Sequence, residues 1–305
     1  MIRASIDIGS NSVLLLAAEM DEAGTKIVSE VLNLSYITSL GKDLDKNKEF
    51  HPDSMKATYE ALLDYKNQLL KIKINPQAVI VTATEAARVA RNSPEFFLKI
   101  KNELGFEIQI ISSEAEAFYT ARGVASGHND VSTVVIMDIG GASTELIKVE
   151  LRPFKIIDSI SLPVGAVRAN DWIQGNIFDQ KMEEIFSHNL NFYKTKSLLC
   201  VAGGMTSMAA MYLGLKEFSA EKIEGLTISF NSFKLFSLDL QKTNKENLLL
   251  LFPFLGKRVE VIAAAAKVAI LFSEKLNIEE IKISSRGLRY GTLLAGEIDE
   301  KFTSR

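Results

Sequence analysis

The sequence predicts a two-domain α/β protein whose halves are related to one another, and three observations carry that reading. A motif near the start, Ile6-Asp7-Ile8-Gly9-Ser10-Asn11-Ser12, returns almost midway as Met137-Asp138-Ile139-Gly140-Gly141-Ala142-Ser143. Strand-like and helix-like segments alternate through both halves. A chain of 305 residues with 47% hydrophobic content is enough for two cores of ordinary size.

The elements follow in order. An apolar β-rich run at 4–8 ends in the first motif and a second run at 13–18 follows, which reads as a hairpin with an acid at its mouth. Residues 27–34 form another strand-like run. In 54–73, Met55, Tyr59, Leu62, Leu63, Leu69 and Leu70 recur at helical spacing. A buried strand at 78–82, a helix at 85–90, a proline-opened helix at 94–104 and a strand at 107–111 come next. A helix at 113–126 stops at Gly127, and the polar stretch 127–132 is the expected domain joint. That divides the chain into 1–126 and 127–291, with 292–305 placed to pack back on the first domain. The second hairpin (134–139 and 144–149) opens the second half. A helix at 179–195, a strand at 198–202, a helix at 205–213 entered through Gly203-Gly204, an alanine-rich helix at 258–276 and a last strand at 281–284 complete it.

Composition narrows the function. Lys and Arg number 35 against 38 acids, and a net charge of −3 gives no bulk attraction to nucleic acid or anionic membranes. The lone Cys200 lies in an apolar run, so a buried thiol in a reducing cytoplasm is expected and a disulfide within the chain is impossible. Arg3 and Asp7 interrupt the N-terminal apolar run, and 13–18 is too short to span a bilayer, so neither secretion nor membrane insertion is expected. His51, His128 and His188 are scattered, which disfavours a zinc site or a Ser-His-Asp triad. Gly41-Lys42 and Gly256-Lys257 lack the spacing of a P-loop, and no Gly-x-Gly-x-x-Gly follows a strand.

The repeat itself suggests chemistry. Glycine suits a turn that needs positive φ and lets backbone N–H groups approach an anion closely. An Asp beside a bound phosphate makes sense chiefly with Mg²⁺ or another hard cation between them. Asp138 and Glu145 flank the second turn, where both can face one pocket and share such a cation. Ser113-Glu114-Ala115-Glu116 matches a capping box, which gives Glu116 a structural explanation. Its place, where a strand leads into a helix, also suits a general base acting on water. Among the basic residues, those beside loops at strand ends suit phosphate: Arg88 near Arg91, Arg168, Lys257-Arg258, and Arg286 with Arg289. Expected phosphate-binding positions are Gly9, Ser10, Asn11, Ser12, Arg88, Gly140, Gly141, Ala142, Ser143 and Thr144, with Gly203 and Gly204 at a helix start.

Through the two repeat motifs, 84–92, Ile111-Ser112-Ser113-Glu114-Ala115-Glu116-Ala117, Ser161-Leu162-Pro163-Val164-Gly165-Ala166-Val167-Arg168 and Gly287-Leu288-Arg289-Tyr290-Gly291, the chain resembles the exopolyphosphatase and guanosine pentaphosphate phosphatase family. The resemblance covers almost the whole chain. It implies two actin-like (ribonuclease H-like) domains with an active site in the cleft between them, and attack of water on a terminal phosphate that depends on Mg²⁺ or Mn²⁺. It implies Glu116 as the catalytic base, Asp138 and Glu145 as metal-associated acids, Asp7 as the acid of the first phosphate loop joining them at the metal, and Arg88 in a basic channel. It also suggests a homodimer, and the short form of the family without extra C-terminal helical domains. The chain departs from the family pattern at Ala115, Ala142, Ser285 and Tyr290, each placed to alter substrate contacts. The expected activity is exopolyphosphatase, acting on inorganic polyphosphate. The alternatives are hydrolysis of guanosine pentaphosphate, an ATP-dependent kinase of the same fold, and a non-catalytic sensor of polyphosphate or an alarmone.

Overall fold

The computed structural model describes residues 1–128 and 132–303, so part of the expected joint at 127–132 and the end of 292–305 lie outside the described residues. The backbone forms two compact units, Met1–Ser126 with Arg286–Arg305, and Gly127–Ser285. The first holds β1 (Ile2–Ile8), β2 (Ser12–Met20), β3 (Ile27–Ile37), α1 (Leu44–Asn47), α2 (Pro52–Lys71), β4 (Ile80–Ala83), α3 (Glu85–Val89), α4 (Ser93–Leu104), β5 (Ile108–Ile110) and α5 (Ser113–Ala125). The second holds β6 (Thr133–Ile139), β7 (Thr144–Glu150), β8 (Lys155–Leu162), α6 (Ala166–Gln174), α7 (Phe178–Phe186), β9 (Ser197–Val201), α8 (Ala202–Tyr212), α9 (Ala220–Ile223), β10 (Thr227–Ser229), α10 (Phe230–Lys242), α11 (Lys245–Leu251), α12 (Ile262–Leu276) and β11 (Glu280–Ile283). A last helix, α13 (Leu288–Ala295), belongs to the first unit.

The repeat visible in sequence extends to topology. One sheet runs β3-β2-β1-β4-β5 and the other β10-β11-β9-β6-β7-β8. In each, an antiparallel meander, β1-β2-β3 or β6-β7-β8, is continued by parallel strands, β4 and β5 or β9 and β11. The parallel strands end level with one another: Ile8 pairs with Ala83 and Ala83 with Ile110, while Asp138 pairs with Val201 and Cys200 with Ile283. Ligands of α/β sheets bind beyond such carboxyl ends. In the first unit that edge carries the Gly9 turn, the start of α3 and the start of α5. In the second it carries the Gly140 turn, the start of α8 and the Ser284-Ser285 segment.

Strand alternation decides which side chains point where. In β1, Ile6 and Ile8 enter a core with Leu62, Tyr65 and Phe96 from α2 and α4. Ser5, and with it Asp7 two residues on, faces α13, because Ser5 Oγ donates to the Arg289 carbonyl at 2.7 Å. Helices α5 and α13 meet through bare backbone: a Cβ on Gly291 would stand 1.7 Å from the Tyr119 carbonyl oxygen, and one on Gly123 2.2 Å from that of Gly287. Gly291→Ala is therefore expected to force the helices apart and cost about 3 kcal/mol, visible as a lower urea midpoint. An unchanged midpoint would contradict this packing.

That contact also corrects one boundary. Residues 286–291, expected with the second domain, lie in the first compact unit, since the Gly123–Gly287 and Tyr119–Gly291 approaches and the Ser5–Arg289 bond hold them there. The helix expected at 179–195 ends at Phe186, and Asn189 then accepts from the Asn191 N–H in a turn. The helix expected at 258–276 begins at Ile262, because residues 258–260 belong to a 3₁₀ segment and Val261, with φ −123° and ψ −4°, departs from helical backbone before α12 starts. Among the described residues no helix is long and apolar enough to cross a membrane.

Candidate active site

The two hairpin turns close alike. Gly9 N–H donates to the Ser12 carbonyl at 2.9 Å and Gly140 N–H to that of Ser143 at 3.0 Å. Contrary to the sequence expectation, none of Gly9, Gly140 and Gly141 takes positive φ. What disfavours a side chain is crowding, since a Cβ on Gly9 or Gly140 would lie 3.3 or 3.2 Å from the turn's own carbonyl oxygen. Ala142, one of the departures expected to alter substrate contacts, is likewise outside the left-handed region, so its methyl group sits buried without backbone strain.

Both turns are held from behind by their carbonyls. Ser10 accepts from Gly41 N–H at 2.7 Å, and Asn11 from Thr38 and Ser39 N–H at 3.0 Å each. Gly140 accepts from Ala166 N–H at 2.9 Å, and Gly141 from Val167 at 2.8 Å and Arg168 at 3.2 Å. Arg168, buried, adds a side-chain bond to the Ala142 carbonyl at 2.5 Å. Gly165 must lack a side chain, because a Cβ there would stand 2.5 Å from the Gly141 carbonyl carbon. The amides of Ser10, Asn11, Gly141 and Ala142 have no protein acceptor among the described residues. Unpaired N–H groups clustered in a turn suit an anion. Arg168 thus braces the loop, a role its position in the 161–168 motif hinted at without specifying.

The acids divide between the units. Asp138 and Glu145 are directly opposed in the β6–β7 register, which puts both side chains on one face. Ser161, opposite Glu145 on β8, donates its Oγ to Glu145 Oε1 at 2.7 Å and orients it; sequence reasoning did not single out Ser161 for this. In the first hairpin Asp7 is opposed by Leu14, so the second acid of the repeat has no counterpart. Asp7 is half-buried, but its Oδ1 is shut off from solvent without a hydrogen-bond partner. Burial pushes its carboxyl up to about 7, against the opposing pull of the Arg289 charge.

Among the described residues no three acids, imidazoles or thiols converge into a ready metal cage. A Mg²⁺ ion does not require one, since it commonly keeps several waters and binds through one or two carboxylates plus substrate phosphates. The opposed Asp138 and Glu145 fit that habit, and the orphaned Asp7 Oδ1 is a hard donor of the same kind.

Glu116 is not part of a capping box. The N-cap of α5 is Ser112 rather than Ser113: its side chain accepts from Ala115 N–H at 3.2 Å, which leaves Ala115, not Glu116, at the reciprocal position. The Glu116 carboxylate instead meets Arg88, whose Nη2 lies 3.1 Å from Glu116 Oε2 and 3.1 Å from Glu85 Oε2. Arg88 Nη1 donates to the Ile111 carbonyl at 2.6 Å. Arg88, expected among the phosphate ligands, serves Glu116 in this structure. Burial draws the guanidinium pKa down, but the charges of Glu116 and then Glu85 outweigh it and hold it above its ordinary value.

At the matching strand end of the second unit, Ala202 takes φ 73°, a costly conformation for a residue with a Cβ, to turn β9 into α8. Arg258 covers the helix start: a Cβ on Gly203 would stand 2.8 Å from its Nη2, and its Nη1 donates to Ser207 Oγ at 3.0 Å. The other departures from the family pattern have packing reasons. Ala115 is buried with Ile111, Tyr119 and Leu288, the Tyr290 hydroxyl donates to Glu30 at 2.7 Å, and Ser285 gives Glu224 both its N–H at 2.6 Å and its hydroxyl at 2.5 Å.

A family model described as the Ppx/GppA phosphatase family matches residues 18–299. The bifunctional 3-dehydroquinate synthase/phosphatase of Fusobacterium nucleatum is 28% identical over 97% of the chain and 46% of its own length. The guanosine-5'-triphosphate,3'-diphosphate pyrophosphatase of Vibrio cholerae is 26% identical over 94% of the chain and 58% of its own length. The chain thus spans about half the length of these curated relatives. The crystal structure of the Aquifex aeolicus Ppx/GppA family member superposes with a TM-score of 0.75, at 27% identity over 97% of each chain.

Proposed function

Because the chain belongs to the Ppx/GppA phosphatase family, we propose that it hydrolyses the terminal phosphoanhydride bond of inorganic polyphosphate and releases orthophosphate. The observation that carries this reading is Glu116: a largely buried carboxylate at a strand-end helix start, free of capping duty and fixed by an arginine. Glu116 takes the proton of the attacking water as its oxygen bonds to the terminal phosphorus. The bond from that phosphorus to the bridging oxygen breaks, and the shortened chain leaves with the electron pair. The amides of the two turns hold phosphate oxygens in place. Asp138 and Glu145 would hold Mg²⁺ or Mn²⁺, which when bound offsets charge on the phosphate oxygens, and Asp7 is the candidate metal acid of the first unit. The reading includes a reducing cytoplasm, supported by the buried thiol of Cys200, and a homodimer, supported only by the family resemblance.

Guanosine pentaphosphate is the second substrate reading, favoured by the name of the Vibrio cholerae relative. Phosphate release should be measured with Mg²⁺ on short polyphosphate, long polyphosphate, guanosine pentaphosphate and ATP in parallel. The first reading expects fastest release from polyphosphate. Fastest release from guanosine pentaphosphate would install the second. Binding without release from any of them would overturn both in favour of a sensor.

A further inference from the structure

We propose that Glu85 is a positioning residue for the reaction: it takes a share of the Arg88 guanidinium and thereby keeps Glu116 basic enough to accept a proton from water. The inference rests on the phosphohydrolase reading, which is what makes Glu116 a base.

The geometry is a fork with one tine shared. Arg88 Nη2 stands 3.1 Å from Oε2 of both Glu85 and Glu116, so those two oxygens are at most 6.2 Å apart. The side chains are 17%, 22% and 12% exposed for Arg88, Glu85 and Glu116, too enclosed for solvent to screen the charges fully. An arginine paired with Glu116 alone would favour the carboxylate anion and make it a poor proton acceptor. A second carboxylate at the same nitrogen offsets part of the guanidinium charge that Glu116 feels and repels the Glu116 charge directly, and both effects favour protonation.

Other charged groups stand on the elements packed around Glu116, with different partners. Glu114 on α5 itself is turned to the helix start, where backbone N–H and the Ser112 hydroxyl hold its pKa down, and the Arg88 charge adds to that without a direct ion pair. Just before and on α13, which packs against α5, Arg286 and Arg289 lie over the Tyr290 ring, and the Arg289 charge acts on Asp7. On the C-terminal turn that meets Ser112 through the Phe302 carbonyl, Lys301 pairs with Asp299. Glu85 is the acid that shares the Arg88 nitrogen with Glu116.

A purely structural Glu85, anchoring α3 through Arg88, would affect stability and leave the titration of Glu116 where it was. The test compares wild type, Glu85→Gln and Glu85→Asp by carboxyl-carbon NMR titration of labelled glutamates, with Glu116→Gln to assign the signal, and by the pH dependence of kcat/KM. In Glu85→Gln the Glu116 titration and the acid limb of the profile should both move down by about one pH unit, with kcat several-fold lower. Glu85→Asp, which keeps the charge, should restore most of both. An unmoved Glu116 titration in Glu85→Gln, or a shift as large in Glu85→Asp, would overturn the proposal. If Glu85→Gln moves the Glu116 titration while the wild-type protein releases no phosphate from any substrate, the coupling stands and the phosphohydrolase reading falls.

Discussion

Glu116→Gln is expected to slow phosphate release by about 10²- to 10⁴-fold, the usual contribution of a positioned general base, while the protein stays folded. The amide matches the carboxylate in shape, and its oxygen can still accept from Arg88 Nη2, which lies 3.1 Å from Glu116 Oε2. Arg88 also keeps Glu85 and the Ile111 carbonyl as partners, so removing one charge does not strand the guanidinium. The stability loss should therefore stay near ~2 kcal/mol or below. Rates in excess Mg²⁺ and a urea unfolding curve on the same preparation check both halves. Release at the wild-type rate would remove Glu116 from the chemistry, and a collapse of stability would make it a structural residue after all.

Asp7→Asn should stabilise the protein at alkaline pH and impair its activity. Burial raises the Asp7 carboxyl from 3.8 to about 7, with Arg289 opposing. The folded chain therefore holds a proton that the unfolded chain has already released, and wild-type stability falls as pH rises from about 4 to about 7. An asparagine carries no such penalty. Its advantage should be nil at pH 4 and reach at most ~4 kcal/mol at pH 8. Turnover should fall ~10- to 100-fold, as for groups that support a metal site. Denaturation midpoints of both proteins across that range are the check. Parallel pH curves would mean that Asp7 is better solvated than its buried Oδ1 implies. A stable and fully active variant would mean that the buried charge has no function.

The hairpins were legible in the sequence because each element of the signal is local: an alternating strand, an acid, a tight turn and a second strand within a dozen residues. Their equivalence in topology, with β4 and β5 answering β9 and β11, was implied by the α/β alternation. Glu116 was harder. Ser112 and Ser113 are both able to cap, and a shift of one residue decides whether Glu116 is committed to the helix end or released from it. Its partner Arg88 lies 28 residues away, a contact that only the parallel alignment of β4 with β5 creates. Glu85 carried a faint local signal, three residues before Arg88 on α3, without any hint that Glu116 would share the same nitrogen. Arg168 and Ser161 were inside a recognised motif, but their tasks depend on β8 and α6, which lacked a clear periodic signature. The departures at Ala115, Ser285 and Tyr290 looked functional only because their packing partners, Leu288, Glu224 and Glu30, are remote in sequence.

The most direct test follows the oxygen of the attacking water. Tripolyphosphate hydrolysed by the wild-type protein in heavy-oxygen water should yield orthophosphate carrying one solvent oxygen and pyrophosphate carrying none, and Glu116→Gln should suppress that labelled product. Solvent oxygen on the pyrophosphate, or labelled orthophosphate formed equally well by Glu116→Gln, would contradict an attack on the terminal phosphorus by water activated at Glu116.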